Sequence, residues 1–220
     1  MRSFVVLGMG RFGQSVAKTL YELGYEVLAI DNDEEVIQDM TDYVTHAVIA
    51  DATDENVLKS LGVRNFDVAV VTIGGDMQSS ILVTLILKEM GVKYILAKAR
   101  SELHAKVLNK VGADRVIFPE RDMGTRVAHN LVSSNILDYI ELSPDYSIIE
   151  VAAPEQWVGK SLVELNVRVK YGINIMAIKN GKEINISPRA DDTIKRDDVV
   201  VIIGANADIS RLEQESLEEK

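Results

Sequence analysis

The chain has 220 residues, 47% of them hydrophobic, with 34 acidic against 24 basic side chains and no cysteine. At about 100–200 residues per domain, this length predicts one large domain or two small ones. The net charge of −10 argues against binding to a nucleic-acid backbone or an anionic membrane surface, and the lack of cysteine excludes disulfides and thiol catalysis.

The N-terminal segment, residues 1–8, predicts an immediate β-strand and lacks the long apolar run of an export signal. The most apolar stretches, residues 81–87 and 199–205, are far shorter than the about 20 residues that a membrane-spanning helix needs. We therefore expect a soluble protein of the cytoplasm.

The first 120 residues alternate short β-branched runs with segments of helical spacing, which is typical of βαβ units around a parallel sheet. The predicted strands are residues 3–7, 26–30, 47–50, 67–72, 94–97 and 115–118. Gly24, Gly62, Gly91 and Gly112 each precede a strand, where a left-handed helix end is expected. The pattern predicts an α/β fold with a Rossmann-like, doubly wound parallel sheet.

After Pro119 the pattern changes. Residues 121–138 predict one longer helix, which we expect to leave the first domain and pack against a second copy of the chain. We therefore place a nucleotide-binding domain over residues 1–138 and a small α+β domain over residues 139–220, with a turn at Ser143-Pro144-Asp145. The elements predicted in the second domain are strands 147–153 and 198–204, helices 161–166 and 208–217, and a hairpin over 174–186 that turns at Asn180-Gly181.

A Gly-x-Gly-x-x-Gly pattern, formed by Gly8, Gly10 and Gly13, directly follows the first predicted strand and opens a helix. Gly8 allows a tight turn, Gly10 lets a phosphate approach the backbone, and Gly13 lets helix and strand pack closely. The helix N-terminus supplies amide donors for phosphates. Asp31 ends the second strand, where it accepts hydrogen bonds from a ribose and disfavours the 2′-phosphate of NADP. The alternative is a tight strand–helix turn without a ligand.

The ends of the later strands are expected to line the same crevice. Asp33 either shares the ribose contact or caps the next helix, and the sequence leaves both open. His104 either hydrogen-bonds near Lys98 and Arg100 or lies on a helix surface. The remaining candidates are Phe12 and Asn32 in the first two turns, Asp51 and Ala52 near an adenine edge, Ile73, Gly74 and Gly75 after the fourth strand, and Ala99 after the fifth.

Arg11 lies inside the glycine pattern, where an oxidoreductase more often has a small or apolar residue. A guanidinium at this position would meet the outer phosphates of a mononucleotide. An exposed arginine without an anion would lie unfavourably at the positive end of the helix dipole. Arg11 therefore favours ATP or ADP as the ligand, with NAD(H) still open.

The sequence offers little for catalysis. The histidines, His46, His104 and His129, all precede the second domain, and no Gly-x-x-x-x-Gly-Lys-Ser/Thr motif is present. Glu120 either binds a cation such as Mg²⁺ or forms a surface ion pair with Arg121. We expect a nucleotide sensor and not an enzyme; the alternatives are a NAD-dependent oxidoreductase and a redox sensor that acts on a transcription partner.

Several segments resemble the KtrA/TrkA family, whose members are built from RCK (regulator of K⁺ conductance) domains and serve potassium uptake systems. The resemblance rests on the glycine pattern at residues 8–13, on Asp31, and on segments 46–53, 117–124, 166–172 and 177–179. It covers essentially the whole chain. The single RCK unit and the Arg11-Phe12 pair are more similar to KtrA than to TrkA.

The resemblance implies a homo-octameric ring, built from dimers, beneath a KtrB-type channel subunit at the inner face of the membrane. ATP and ADP would favour different ring shapes, with ATP activating. By the same resemblance, Arg11 meets the outer phosphates, and Glu120 lies near a cation at a subunit interface. Cyclic di-AMP binds the second domain in some members; the corresponding residues here are Arg168, Ile173, Asn174, Ile175 and Pro188.

Overall fold

The computed structural model describes residues 2–132 and 136–218. The chain divides into two compact units, residues 1–120 and 121–220. The division falls in the first turn of the helix that begins at Pro119, whereas the sequence pattern predicted this helix as part of the first domain. Among the described helices, none has the length and apolar character needed to cross a membrane.

The first unit is built on a six-stranded parallel sheet in the order β3-β2-β1-β4-β5-β6. The strands are β1 (Ser3–Leu7), β2 (Glu26–Asp31), β3 (His46–Ile49), β4 (Val68–Val71), β5 (Ile95–Lys98) and β6 (Arg115–Ile117). Both faces of the sheet are covered, because Val5 and Leu7 contribute to one apolar core and Val6 to another. The predicted doubly wound sheet is confirmed.

The helices of this unit connect successive parallel strands. They are α1 (Arg11–Glu22), α2 (Glu34–Met40), α3 (Glu55–Ser60), α4 (Met77–Glu89) and α5 (Glu102–Val111). Short 3₁₀ turns follow α2 at Thr41–Tyr43 and α3 at Val63–Asn65. The glycines predicted to end helices, Gly24, Gly62, Gly91 and Gly112, all have positive φ angles, as the left-handed conformation requires.

The second unit contains a five-stranded antiparallel sheet in the order β10-β9-β11-β8-β7. Its strands are β7 (Ile136–Ser143), β8 (Tyr146–Ala152), β9 (Asn174–Asn180), β10 (Glu183–Asn185) and β11 (Val199–Ala205). Its helices are α7 (Leu162–Leu165), α8 (Val167–Tyr171) and α9 (Asn206–Glu218), with a 3₁₀ turn at Glu155–Trp157. Trp157 and Tyr171 are buried in the core of this unit.

The helix predicted over residues 121–138 is wrong at its C-terminal end, residues 136–138, which lie in a strand. Helix α6 (Pro119–Val132) is shorter, and Asp138 lies in β7; residues 133–135 lie outside the described part of the chain. Ile136 and Tyr139 are buried, and Ile136 pairs with Val151 of β8. Pairing with β8 makes residues 136–138 a strand. The spacing of apolar residues within a short window does not show that such a pairing partner exists.

Candidate functional site

A cavity of about 590 Å³ lies at the carboxyl edge of the parallel sheet in the first unit. Open parallel sheets bind ligands at this edge, at the point where the chain continues to opposite sides of the sheet. Here that point is between β1, which is followed by β2 on one side, and β4 on its other side. The cavity is lined by Gly8, Gly10, Arg11, Phe12, Ile30, Asp31, Asn32, Ala50, Asp51, Ala52, Thr53, Thr72, Ile73, Gly74, Gly75, Asp76, Ser79, Lys98 and Glu120.

The three glycines of the first turn have different physical reasons to be glycine. Gly8 has a φ of +99°, and a Cβ there would lie 2.9 Å from the backbone nitrogen of Ile73. A Cβ at Gly13 would overlap the carbonyl oxygen of Gly8 and lie 2.7 Å from Thr72 Oγ1. A Cβ at Gly10 would meet nothing within 4 Å. Gly8 and Gly13 are therefore required by the protein itself, whereas the space above Gly10 is open.

Thr72 connects the glycine turn to β4. Its buried hydroxyl lies 3.1 Å from the carbonyl oxygen of Leu7 and within hydrogen-bond distance of that of Gly8. A single hydroxyl proton serves one of these oxygens at a time. The contact holds the turn against the neighbouring strand, so the amides at the start of α1 keep their orientation.

Asp31 is held by the backbone of two different turns. Its Oδ2 accepts from the Met9 N–H, and its Oδ1 accepts from the Asp33 N–H at 3.0 Å. Asp33 in turn accepts from the backbone N–H groups of Glu35 and Val36, which makes it the N-cap of α2. The capping role that the sequence left open for Asp33 is therefore the one observed, and its side chain does not line the cavity.

Asp51 follows β3 and is fixed by Thr53. Its Oδ1 accepts from the Thr53 hydroxyl at 2.7 Å and from the Thr53 N–H at 2.8 Å. These hydrogen bonds, the one from the hydroxyl first, hold the pKa of Asp51 below its usual value. The carboxylate is therefore ionised at neutral pH and is an acceptor for an amino group at this wall of the cavity.

Lys98 at the end of β5 forms an ion pair with Glu120. The Lys98 side chain is only 11% exposed, whereas that of Glu120 is 68% exposed. The hydrogen bond from Lys98 is the main reason that the pKa of Glu120 lies below its usual value, and Arg100 adds a smaller electrostatic effect. The ammonium also lies 5.9 Å from the centre of the Phe12 ring. Arg11, in the first turn of α1, is exposed.

The turn between β4 and α4 forms a further wall. Asp76 caps α4 by accepting from the N–H groups of Gln78 and Ser79 and from the Ser79 hydroxyl, and these bonds lower its pKa, the hydroxyl most of all. The carbonyl oxygen of Gly75 accepts from the Arg100 guanidinium at 3.4 Å. Two positions of this turn, Gly74 and Gly75, have no side chain, which keeps the wall open to a ligand.

Most residues predicted from strand ends line this cavity, but not all of them. The predicted residues outside the lining are Gly13, Asp33, Ala99, Arg100 and His104. The lining residues that the sequence analysis missed are Ile30, Ala50, Thr53, Thr72, Asp76 and Ser79. Ile30, Ala50 and Thr72 ended predicted strands and could have been found from that position. Asp76 precedes a helix, so its N-cap position was also visible in the sequence.

The predicted cyclic di-AMP residues lie in the second unit. Arg168 is exposed on α8, Asn174 and Ile175 belong to β9, and Ile173 is completely buried in the core. The side chain of Ile173 therefore serves packing. Across the residues described by the structure, no group of three or more His, Asp or Glu side chains is arranged to hold a metal ion.

The fold and the cavity define a class: a Rossmann-like domain with a nucleotide-type site at its glycine turn, followed by a small domain with an antiparallel sheet. Family models agree with this division. The TrkA-N domain matches residues 4–119, and the TrkA-C domain matches residues 146–216.

Curated relatives match along the whole chain. Ktr system potassium uptake protein C of Bacillus subtilis is 51% identical over 219 residues, covering 100% of this chain and 99% of the relative. Ktr system potassium uptake protein A of the same organism is 49% identical over 216 residues, covering 98% of this chain and 97% of the relative. The chain therefore belongs to the KtrA/TrkA family of potassium uptake proteins, as the sequence resemblance predicted.

Solved structures support the fold. The GsuK RCK domain superposes with a TM-score of 0.68 at 16% identity, covering 97% of this chain and 47% of that chain. GsuK bound to ADP has a TM-score of 0.50 at 26% identity, covering 60% of this chain and 34% of that chain.

Proposed function

We propose that this chain is a cytoplasmic, nucleotide-sensing regulatory subunit of a potassium uptake system, and that ATP and ADP compete for the cavity of the first unit. The observation that supports it most strongly is the cavity itself. It combines a glycine turn with open space at Gly10, the carboxyl groups of Asp31 and Asp51, and the basic side chains of Arg11 and Lys98. Full-length similarity to Ktr potassium uptake proteins supplies the cellular process.

Arg11 is the proposed discriminator between ATP and ADP. It is exposed at the start of α1, next to the amides that would receive phosphates. A γ-phosphate reaches further along this helix start than a β-phosphate and gains a charge-assisted hydrogen bond from the guanidinium. A ligand shifts a conformational equilibrium only by its difference in affinity for the two states. The contact at Arg11 is one such difference.

The proposed assembly is a homo-oligomer of dimers, up to an octameric ring, that gates a KtrB-type membrane subunit. Helix α6 presents Met123, Val127 and Leu131 to solvent, and Leu131 is 81% exposed. A second copy of the chain would cover these apolar side chains. Cyclic di-AMP in the second unit, and a cation such as Mg²⁺ at Glu120, remain predictions. At Glu120 the cation would need further ligands from phosphates or a second subunit.

Calorimetric titration with ATP, ADP, NADH and NADPH tests the ligand. Wild type is expected to bind ATP more tightly than ADP, and NADPH weakly because of Asp31. In Arg11→Ala the ATP affinity is expected to fall about tenfold to a hundredfold, since hydrogen bonds to charged groups contribute about 1.5–3 kcal/mol, while ADP changes little. Arg64→Ala, an exposed arginine outside the cavity lining, is the control.

An unchanged ATP preference in Arg11→Ala would contradict the discriminator, and binding of NADPH alone would contradict the assignment of Asp31. The regulatory role is tested by Rb⁺ uptake into vesicles that contain a KtrB-type channel subunit. Uptake is expected to require this chain and to be greater with ATP than with ADP. Equal uptake with and without the chain would refute the regulatory role.

A further inference from the structure

His104 lies in the first turn of α5 and is completely buried. Its Nδ1 accepts a hydrogen bond from the backbone N–H of Arg100 at 3.3 Å. An acceptor at Nδ1 assigns the neutral tautomer with its proton on Nε2. Within the described part of the chain, Nε2 is buried without a hydrogen-bond partner. Of the two alternatives that the sequence left open for His104, the hydrogen bond near Arg100 is observed and the helix surface is not, and the side chain lies outside the cavity lining.

Packing alone does not explain a histidine at this position. An unpaired buried N–H is unfavourable, and an apolar side chain of similar size would avoid it. Burial, followed by the nearby Arg100, lowers the pKa of His104, so the ring is neutral at physiological pH. Nδ1 is therefore available as an acceptor, and the bond to Arg100 is what an apolar residue would lose.

Arg100 is the residue through which His104 reaches the cavity. Its guanidinium donates to the carbonyl oxygen of Gly75 at 3.4 Å, and its charge contributes to the lowered pKa of Glu120. Gly75 and Glu120 both line the cavity. The Arg100 side chain thus connects the turn after β5 with the turn after β4, next to the ion pair of Lys98 and Glu120.

We propose that His104 is a positioning residue for the cavity: its Nδ1 holds the Arg100 backbone so that the guanidinium fastens the Gly74-Gly75 turn at the Lys98 side, where outer phosphates would lie. The effect on nucleotide binding rests on the proposed function. The effect on the two turns does not, because the contacts exist in the chain without a ligand.

A local role for His104 has a different signature. Ser101 is the N-cap of α5, and its hydroxyl accepts from the His104 N–H at 3.2 Å. If His104 served only to complete this helix start, its replacement would disturb α5 and leave the turn after β4 unchanged. The decisive observable is therefore Gly75, which is remote from α5 in sequence and connected to it through the Arg100 side chain.

Two substitutions separate the acceptor from the volume. His104→Leu fills similar space and removes Nδ1, whereas His104→Asn retains an acceptor oxygen near the Nδ1 position. In the unliganded chain, we expect the Arg100 amide to exchange hydrogen at least about tenfold faster in His104→Leu. The NMR resonance of the Gly75 carbonyl carbon is expected to shift, because that carbonyl loses its bond from the Arg100 guanidinium. His104→Asn is expected to resemble wild type, and the amide of Asp33, across the cavity, serves as the internal control.

The affinities for ATP and ADP, measured by calorimetry, give the second readout. We expect His104→Leu and Arg100→Ala each to bind about tenfold more weakly, the double variant to show no further loss, and His104→Asn to bind within about threefold of wild type. An unmoved Gly75 carbonyl-carbon resonance in His104→Leu, or unchanged affinity in Arg100→Ala, would overturn the proposal. Arg100 is exposed, so that variant tests the idea even where His104→Leu does not fold.

A wild-type chain that binds none of the nucleotides would refute the proposed function and not the positioning role. Hydrogen exchange at the Arg100 amide and the resonance of the Gly75 carbonyl carbon, both measured without a ligand, still decide whether His104 holds the two turns. Failure of the two ideas is therefore distinguishable.

Discussion

Asp31 and Lys98 lie on opposite sides of one cavity and are held by different kinds of partner. On the Asp31 side, which comprises Asp31 at the end of β2 and Asp51 after β3, the carboxylates accept hydrogen bonds from backbone N–H groups. On the Lys98 side, which comprises Lys98 and Glu120, two long side chains hold each other. A side chain anchored to backbone is preorganised for a ligand, whereas an ion pair must be rearranged when a phosphate takes one member. We therefore propose that the Asp31 side recognises the ligand and that the Lys98 side responds to it.

The glycine turn between the two sides provides the test with the largest expected effect. Gly13→Ala places a Cβ against the Gly8 carbonyl oxygen, and we expect the free energy of unfolding to fall by about 3 kcal/mol. Gly10→Ala adds a Cβ where no atom lies within 4 Å, so its stability is expected to change by less than about 0.5 kcal/mol.

Urea unfolding and calorimetry with ATP measure both glycine variants. Gly10→Ala is expected to be stable and to bind ATP at least tenfold more weakly, because the new Cβ occupies the space proposed for a phosphate. A stable Gly10→Ala chain with full ATP affinity would show that phosphates lie elsewhere.

Asp31→Asn tests the recognition assigned to the Asp31 side. The neutral amide loses the charge that binds a ribose diol and repels a 2′-phosphate, so we expect about tenfold weaker ATP binding and a smaller discrimination against NADPH. Asp33→Asn is the matched control, since asparagine retains the N-cap of α2 and residue 33 lies outside the lining. Equal losses in the two variants would argue that the turn, and not the Asp31 carboxylate, is responsible.

Lys98→Met tests the response assigned to the Lys98 side and has the smallest expected effect. Removal of the main hydrogen bond is expected to raise the pKa of Glu120 towards its ordinary value. The paired Glu120 contributes stability above its unfolded pKa, and this stability is lost as the pH falls through the folded pKa. The loss in acid is therefore expected to be shallower in Lys98→Met.

The pKa of Glu120 is followed by NMR titration of its side-chain carboxyl carbon. Lys93→Met is the control, because Lys93 pairs with Asp67 and lowers that residue's pKa instead. A Glu120 pKa that does not move in Lys98→Met would mean that the ion pair is too weak in solution for the proposed exchange.

Sequence patterns were sufficient for the parallel sheet and for most of the cavity. Strand runs, helix-ending glycines and the pattern at Gly8, Gly10 and Gly13 are local signals, and the edge where parallel strands end follows from the fold class. They predicted Asp31, Asp51 and Lys98 at one cavity. They failed at β7, whose conformation depends on Ile136 and Tyr139 joining a core built by distant residues.

Only the tertiary structure decided which partner each polar side chain has. In the structure, Asp33 caps α2, and Glu120 accepts a hydrogen bond from Lys98, 22 residues away. His104 accepts a hydrogen bond from the Arg100 backbone behind the cavity wall. Spacing in a sequence encodes which residues share an element or an edge. A hydrogen bond or close ion pair needs its donor and acceptor atoms about 3 Å apart. Packing between elements that are distant in sequence sets the side-chain positions that meet this requirement.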